Sequence, residues 1–146
     1  MRIIGIDYGD ARVGIAISDP LGITAQGLET IQRNNSDKVV LKRLEEIVKE
    51  YQVSTMVLGM PLNLKGEKTV RAIKTEEFLH KLKCKFPKIK IELIDERLTT
   101  VAAQKTMLDL GVTQKRKKEI VDTISAQYIL EIYLQKNDCK KKEDSI

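Results

Sequence analysis

Arg2-Ile3-Ile4-Gly5-Ile6-Asp7, then Tyr8-Gly9-Asp10-Ala11-Arg12, then Val13-Gly14-Ile15-Ala16-Ile17-Ser18 is the stretch that decides the fold. Two β-branched apolar runs flank a glycine-containing turn, the pattern of a β-hairpin. A third extended piece, Gly22 to Ile31, follows the turn Asp19-Pro20-Leu21-Gly22, so a three-strand antiparallel meander is expected. The period then changes. Val39, Val40, Leu44, Ile47, Val48 and Tyr51 recur at three- and four-residue intervals behind Ser36 or Asp37, which predicts a capped amphipathic helix. Beyond it the pattern alternates: a strand over Thr55 to Leu58, a helix over Glu67 to Lys83 and a strand over Ile89 to Ile94, closed by Asp95-Glu96-Arg97. Strand, helix, strand implies parallel pairing through a crossover. A helix from Thr99 to Leu110 ends at Gly111, and a last helix runs from Thr113 to Gln135. The expected architecture is α/β: a mixed five-stranded sheet, meander on one side of the first strand and parallel strands on the other, flanked by helices.

Composition narrows the classes. The chain has 146 residues, 42% hydrophobic and 32% charged, which suits one globular domain, expected over residues 1–136, with a lysine-rich polar tail over 137–146 that frays. A formal charge of +5 attracts polyanions such as nucleic acid. No apolar stretch reaches the roughly 20 residues a bilayer demands, and the N-terminus enters a strand-like run without a signal-peptide layout. No membrane association and a cytoplasmic location are therefore expected, while the oligomeric state is not readable. His80 is the one histidine, so Ser-His-Asp chemistry and multi-histidine zinc sites lack material. Cys84 and Cys139 stand far apart and outside any CxxC spacing, as ordinary thiols do.

Catalysis then leans on carboxylates, and ligands of open α/β sheets collect at the carboxyl ends of strands. The first strand stops at Asp7, followed by Tyr8-Gly9, where glycine lets the backbone turn and a phosphate or metal approach. The alternative is an aspartate that merely starts the turn. At the fifth strand, Asp95 and Glu96 point to opposite faces, so at most one shares the face of Asp7. As a helix start, with Thr99 or Thr100 as cap, they would serve only the helix dipole. Asp122 lies at the edge of the apolar arc of the last helix, beside Ser125, Ala126 and Ile129. A buried carboxylate must be paired, neutral or bound to a cation, and Lys118 offers the ordinary pairing. Three carboxylates with no histidine suit hard divalent cations, Mg²⁺ or Mn²⁺. Two such ions hydrolyse phosphodiesters with carboxylate ligands alone. The run Lys115-Arg116-Lys117-Lys118 is placed to hold substrate phosphates, unless it is a solvated face.

These motifs resemble the YqgF (RuvX) family of bacteria, described as pre-16S ribosomal RNA nucleases and as Holliday junction resolvases. The resemblance rests on Gly5-Ile6-Asp7-Tyr8-Gly9 with Arg12-Val13-Gly14-Ile15-Ala16 and Ser18-Asp19-Pro20; on Val57-Leu58-Gly59-Met60-Pro61-Leu62-Asn63 with Gly66; on Asp95-Glu96-Arg97-Leu98-Thr99-Thr100; and on Lys117-Lys118 with Val121-Asp122. It implies a ribonuclease H-like fold, with Asp7, Glu96 and Asp122 as catalytic metal ligands for Mg²⁺ or Mn²⁺. Substrate contacts are expected at Arg12, Arg97, Lys117, Lys118 and Asn63. One departure stands out: the fourth strand ends in Gly59-Met60-Pro61, where the wider superfamily often has an acid.

The expected function is a metal-dependent nuclease acting on structured RNA, in 5′-end processing of pre-16S rRNA during ribosome biogenesis, with pre-ribosomal particles as partners. The RNA and the processing step come from the resemblance. A resolvase acting on branched DNA is the alternative within the same chemistry. A non-catalytic, ribosome-associated RNA-binding module is the alternative outside it. An actin-like or sugar-kinase-like nucleotide binder also opens with a strand, Asp-x-Gly and a hairpin, but 146 residues cannot hold its second half.

Overall fold

Alternation along β1 (Arg2–Tyr8) sends its side chains into two separate cores. The computed structural model describes residues 2–61, 65, 69–95 and 123–136. After β1 come β2 (Arg12–Ser18), β3 (Ala25–Gln32), α1 (Asp37–Tyr51), β4 (Val53–Met60), α2 (Val70–Lys85) and β5 (Lys90–Asp95). Residues 123–136 form a further helix, α3. The strands make one five-stranded sheet in the order β3-β2-β1-β4-β5. β1 pairs antiparallel with β2, and β2 with β3. β4 runs parallel to both β1 and β5. This is the meander-plus-parallel arrangement expected above.

Ile4, Ile6 and Tyr8 face one side, where Val40, Leu44 and Ile47 of α1 and Phe78 and Leu82 of α2 meet Met56 and Leu58 of β4. The other side carries Ala16, Val57 and Ile94 under Ala126, Ile129, Leu130 and Tyr133 of α3. Each large aliphatic side chain fully buried here contributes about 1.5–3 kcal/mol. Gly5 sits on the α3 side, and a Cβ there would lie 2.6 Å from the Ala126 carbonyl oxygen and 2.9 Å from Leu130 Cβ. Only glycine admits the helix backbone at that distance.

Boundaries shift by one to three residues from the sequence pattern, β4 for instance spanning Val53–Met60, and at two of them a single side chain sets the limit. β3 starts at Ala25 rather than Gly22, because Asp19 Oδ1 accepts from the backbone N–H groups of Ile23 at 2.6 Å and Thr24 at 2.9 Å. Those bonds lengthen the turn and delay the ladder. α2 starts at Val70 rather than Glu67, because Thr69 is its N-cap: its hydroxyl accepts from Ala72 N–H at 3.1 Å and donates to the Pro61 carbonyl at 3.2 Å. α1 is capped by Ser36, as expected, and closes on Gln52 in the left-handed region, its N–H donating to the Val48 carbonyl. The expected helix over Thr99 to Leu110 and the tail over 137–146 lie outside the described residues. Among the described residues no helix is long and apolar enough to cross a membrane.

Candidate active site

Asp7 stands at the carboxyl end of β1, 6% exposed. Its neighbours Ile6 and Tyr8 belong to the α1–α2 core, so alternation turns Asp7 to the α3 side, next after Gly5 on that face. Its antiparallel partner is Gly14. On the β4 side, Ile6 pairs with Leu58, so the neighbouring position one residue on is Gly59. Asp7 is thus flanked across the sheet by two residues without side chains. Such a carboxylate accepts a ligand close against the backbone.

The end of β1 is held rigidly. The Tyr8 ring stacks on Phe78 with centroids 4.3 Å apart, and its hydroxyl donates to Asp37 Oδ1 at 2.6 Å. Asp37, whose side chain is 9% exposed, also accepts from Arg33 Nε at 2.9 Å and Lys81 Nζ at 2.7 Å. Burial alone would raise the Asp37 carboxyl, but bonds from Lys81, Tyr8 and Arg33 hold it below the usual range. Burial, and then the Asp37 carboxylate, push the Tyr8 hydroxyl well above its ordinary value. The network joins β1 to the start of α1 and to α2, directly behind Asp7. Gly9 then turns the chain, and a Cβ there would lie 2.6 Å from the Arg12 carbonyl oxygen.

α3 crosses the face of the sheet that carries Asp7. Leu134 and Gln135 line an open groove with Gly22, Ile23 and Ala25, and Gly22 lies beside Ile3, near the start of β1. Ala126 and Leu130 lie over Gly5. The helix therefore runs antiparallel to β1, and Thr123, its first described residue, lies against Gly27 of β3, level with Gly5. Small side chains permit the approach: Ser125 and Ala126 are buried, as the sequence pattern anticipates.

The register also bears on Asp95 and Glu96. Gly59 pairs with Ile94 and Met60 with Asp95. Ile94 packs under α3, so Asp95 falls on the α1–α2 side, opposite Asp7. Arg12 alternates with Val13, which lies in the α1–α2 core, and so shares the face of Asp7. Glu96, Asp122, Arg97, Lys117, Lys118 and Asn63 lie outside the described residues. Among the described residues no three His, Cys, Asp or Glu side chains converge to hold a metal ion. Asp7 itself suits a hard cation by donor type, burial and its two glycine neighbours.

Sequence reasoning missed Arg71. Its Nη2 lies 3.6 Å from Asp7 Oδ1 and donates to the Tyr8 carbonyl at 3.4 Å. One turn further along α2, Lys74 Nζ lies 3.3 Å from Asp10 Oδ1. The available signal was the helical period: Arg71 and Lys74 are three apart, flanking Ala72, which is buried against the sheet.

Known proteins resemble this chain in sequence and in fold. A relative from Acetivibrio thermocellus, named "putative pre-16S rRNA nuclease", is 52% identical over 134 residues, covering 92% of this chain and 95% of its own. One of the same name from Ruminiclostridium cellulolyticum is 51% identical over 142 residues, covering 97% and 99%. Among solved structures, Thermus thermophilus RuvC in complex with a Holliday junction substrate superposes with a TM-score of 0.60 at 14% identity, covering 94% of this chain and 96% of that one. The fold is accordingly RuvC-like, that is ribonuclease H-like. Residues 1–136 match the RuvX family, described as Holliday junction resolvase. With that match over the sheet and α3, and relatives of about half-identical sequence along nearly their whole length, the chain belongs to the RuvX family.

Proposed function

We propose that this chain is a divalent-metal-dependent nuclease that hydrolyses phosphodiester bonds of precursor 16S rRNA at its 5′ end, in the cytoplasm. One observation carries it: Asp7 is a buried carboxylate at a strand's carboxyl end, between two glycines, on the face of the sheet that α3 covers. The relatives named for pre-16S rRNA supply the substrate, and the positive charge of the chain suits it.

In this proposal Asp7, Glu96 and Asp122 hold Mg²⁺ or Mn²⁺ within the domain of residues 1–136. Glu96 directly follows Asp95, so the alternation of β5, if carried one residue on, brings it to the face of Asp7. Asp122 directly precedes Thr123, the first described residue of α3, which runs antiparallel to β1 on the face of Asp7. When bound, such an ion activates water and stabilises the leaving oxygen. The chain's own residues fix the rest. Tyr8, locked by Phe78 and Asp37, keeps the Asp7 backbone from shifting, and the glycines leave the carboxylate accessible. Arg12 presents a cation on the same face for the substrate backbone, with Arg97, Lys117, Lys118 and Asn63 as further contacts.

The family description and the RuvC-like fold support a second substrate, the four-way DNA junction. The test compares wild type with Asp7→Asn on precursor 16S rRNA and on a four-way junction, with Mg²⁺ and Mn²⁺ titrated. Losing a metal-organising carboxylate costs at least ~3 kcal/mol of transition-state stabilisation, on the order of a hundredfold in rate. Cleavage of the RNA that collapses in Asp7→Asn, with binding retained, is the expected result. Preferential cutting of the junction assigns the chain to DNA, and equal cleavage by both proteins refutes the site.

A further inference from the structure

Besides Arg12 on the hairpin itself, four cations lie around the end of β1 among the described residues, and they are not equivalent. Arg33 and Lys81 are committed to Asp37, at 2.9 and 2.7 Å, and Arg33 also donates to the Asp10 carbonyl. Arg71 and Lys74 are held loosely. Arg71 makes only long contacts, 3.4 Å to the Tyr8 carbonyl and 3.6 Å to Asp7, both through Nη2. Lys74 has a 3.3 Å pair with Asp10, whose side chain is 68% exposed. The Arg71 side chain is 47% exposed and that of Lys74 is 52% exposed, so both are open to a ligand.

Helix stability does not explain this placement. The first turn of α2 contains no acidic residue, although acids are what the helix dipole favours there. Arg71, two residues after the Thr69 cap, opposes the dipole. An exposed pair such as Lys74 with Asp10 adds little to stability. What the two residues share is position: one helical turn apart, both at the sheet end that carries Asp7. A guanidinium has five N–H donors in a planar fork that fits a phosphate, and among the described residues only Nη2 of Arg71 is engaged.

We propose that Arg71 and Lys74 are a phosphate-binding pair that grips the substrate backbone beside Asp7, with Arg71 turning from Asp7 to a phosphate oxygen when a cation engages that carboxylate. The proposal rests on the nuclease reading and adds the residues that hold its substrate from the α2 side. No bond is made or broken by either residue. Arg71 and a bound cation compete for the Asp7 carboxylate, so cation binding releases the guanidinium toward the phosphate.

The experiment uses the full chain and a fluorescein-labelled RNA hairpin with a single-stranded flank, followed by anisotropy over a range of KCl concentrations at a fixed Ca²⁺ concentration, a hard cation offered to Asp7 in place of Mg²⁺ or Mn²⁺. Arg71→Ala weakens binding about five- to tenfold and lowers the slope of log affinity against log salt by about one; the double variant with Lys74→Ala lowers it by about two. Arg71→Lys restores the slope because the charge returns. Lys49→Ala, at the end of α1 that leads into β4, leaves it unchanged. A second readout has the opposite sign: Arg71→Ala binds Mn²⁺ more tightly, because a competing cation has left Asp7, whereas a residue that merely shaped the site would weaken it. If Arg71→Ala loses melting temperature, Arg71→Gln, which keeps part of the aliphatic stem and removes the charge, replaces it. Wild-type affinity and salt slope in the double variant overturn the pair, and leave the nuclease reading standing if Asp7→Asn still abolishes cleavage. A wild-type chain that binds no RNA overturns both.

Discussion

Replacing Gly5 with alanine tests the seat of α3 on β1, and with it the frame that carries Asp7. The added Cβ would lie 2.6 Å from the Ala126 carbonyl oxygen, where ordinary contact begins near 3.4 Å, and the obstacle is backbone rather than a flexible side chain. The helix must retreat by about 0.8 Å or the strand must bend. Overpacking of this kind costs about 1–3 kcal/mol, a large share of the 5–15 kcal/mol typical of a domain. At roughly 3 °C per kcal/mol for a chain of this size, Tm should fall by about 3–9 °C. Catalysis should suffer more than stability. Asp7 is two residues along the same face, and a displacement approaching 1 Å in a reacting geometry costs on the order of a hundredfold. The control is Ile4→Val, a neighbour buried in the opposite core, which costs about 0.5–1.5 kcal/mol and leaves the α3 side intact. Calorimetry and precursor-RNA cleavage should show both variants destabilised but only Gly5→Ala nearly inactive. Wild-type Tm and rate in Gly5→Ala would refute the close approach of α3.

Asp37→Asn should destabilise the fold by about 1–3 kcal/mol, since it weakens the bonds that the nearly buried Asp37 carboxylate accepts from Tyr8, from the partly buried Arg33 and from the half-exposed Lys81. Because the folded-state carboxyl of Asp37 lies below its unfolded value, its contribution is present above about pH 4 and is lost as pH falls toward the folded-state value. Urea melts in Asp37→Asn should therefore show a shallower acid decline than wild type, and an unchanged decline would contradict the network. Lys117→Ala with Lys118→Ala should reduce RNA affinity and flatten its salt slope by about one unit per lost phosphate contact, and an unchanged slope would make the run a solvated face.

Much of this fold was legible because its signals are periodic. The alternating runs of β1 and β2, the three-four spacing of α1 behind Ser36 and the short apolar run of β4 each have one plausible structure, and the hydrophobic faces then dictate the sheet. Boundaries were less legible where a single side chain sets them: Asp19 binding the amides of Ile23 and Thr24, and Thr69 rather than Glu67 opening α2. Asp7 could be found because a carboxylate at a strand end breaks an apolar pattern. The choice between Asp95 and Glu96 could not, since period-two alternation needs a register, and the pairing of Ile94 with Gly59 supplies it for Asp95. Arg71 was missed because nothing local marks it. Its meaning comes from a contact to Asp7 across sixty-four residues of chain, made only when α2 folds back over the hairpin end.

The most direct test of the central claim is anomalous diffraction at the manganese edge from crystals of the wild-type chain soaked in Mn²⁺, with Asp7→Asn crystals treated identically. A manganese peak contacting the carboxylates of Asp7, Glu96 and Asp122, absent or strongly reduced in Asp7→Asn, is the expected result. Manganese bound elsewhere, or bound equally in the Asp7→Asn crystals, would contradict the proposed site.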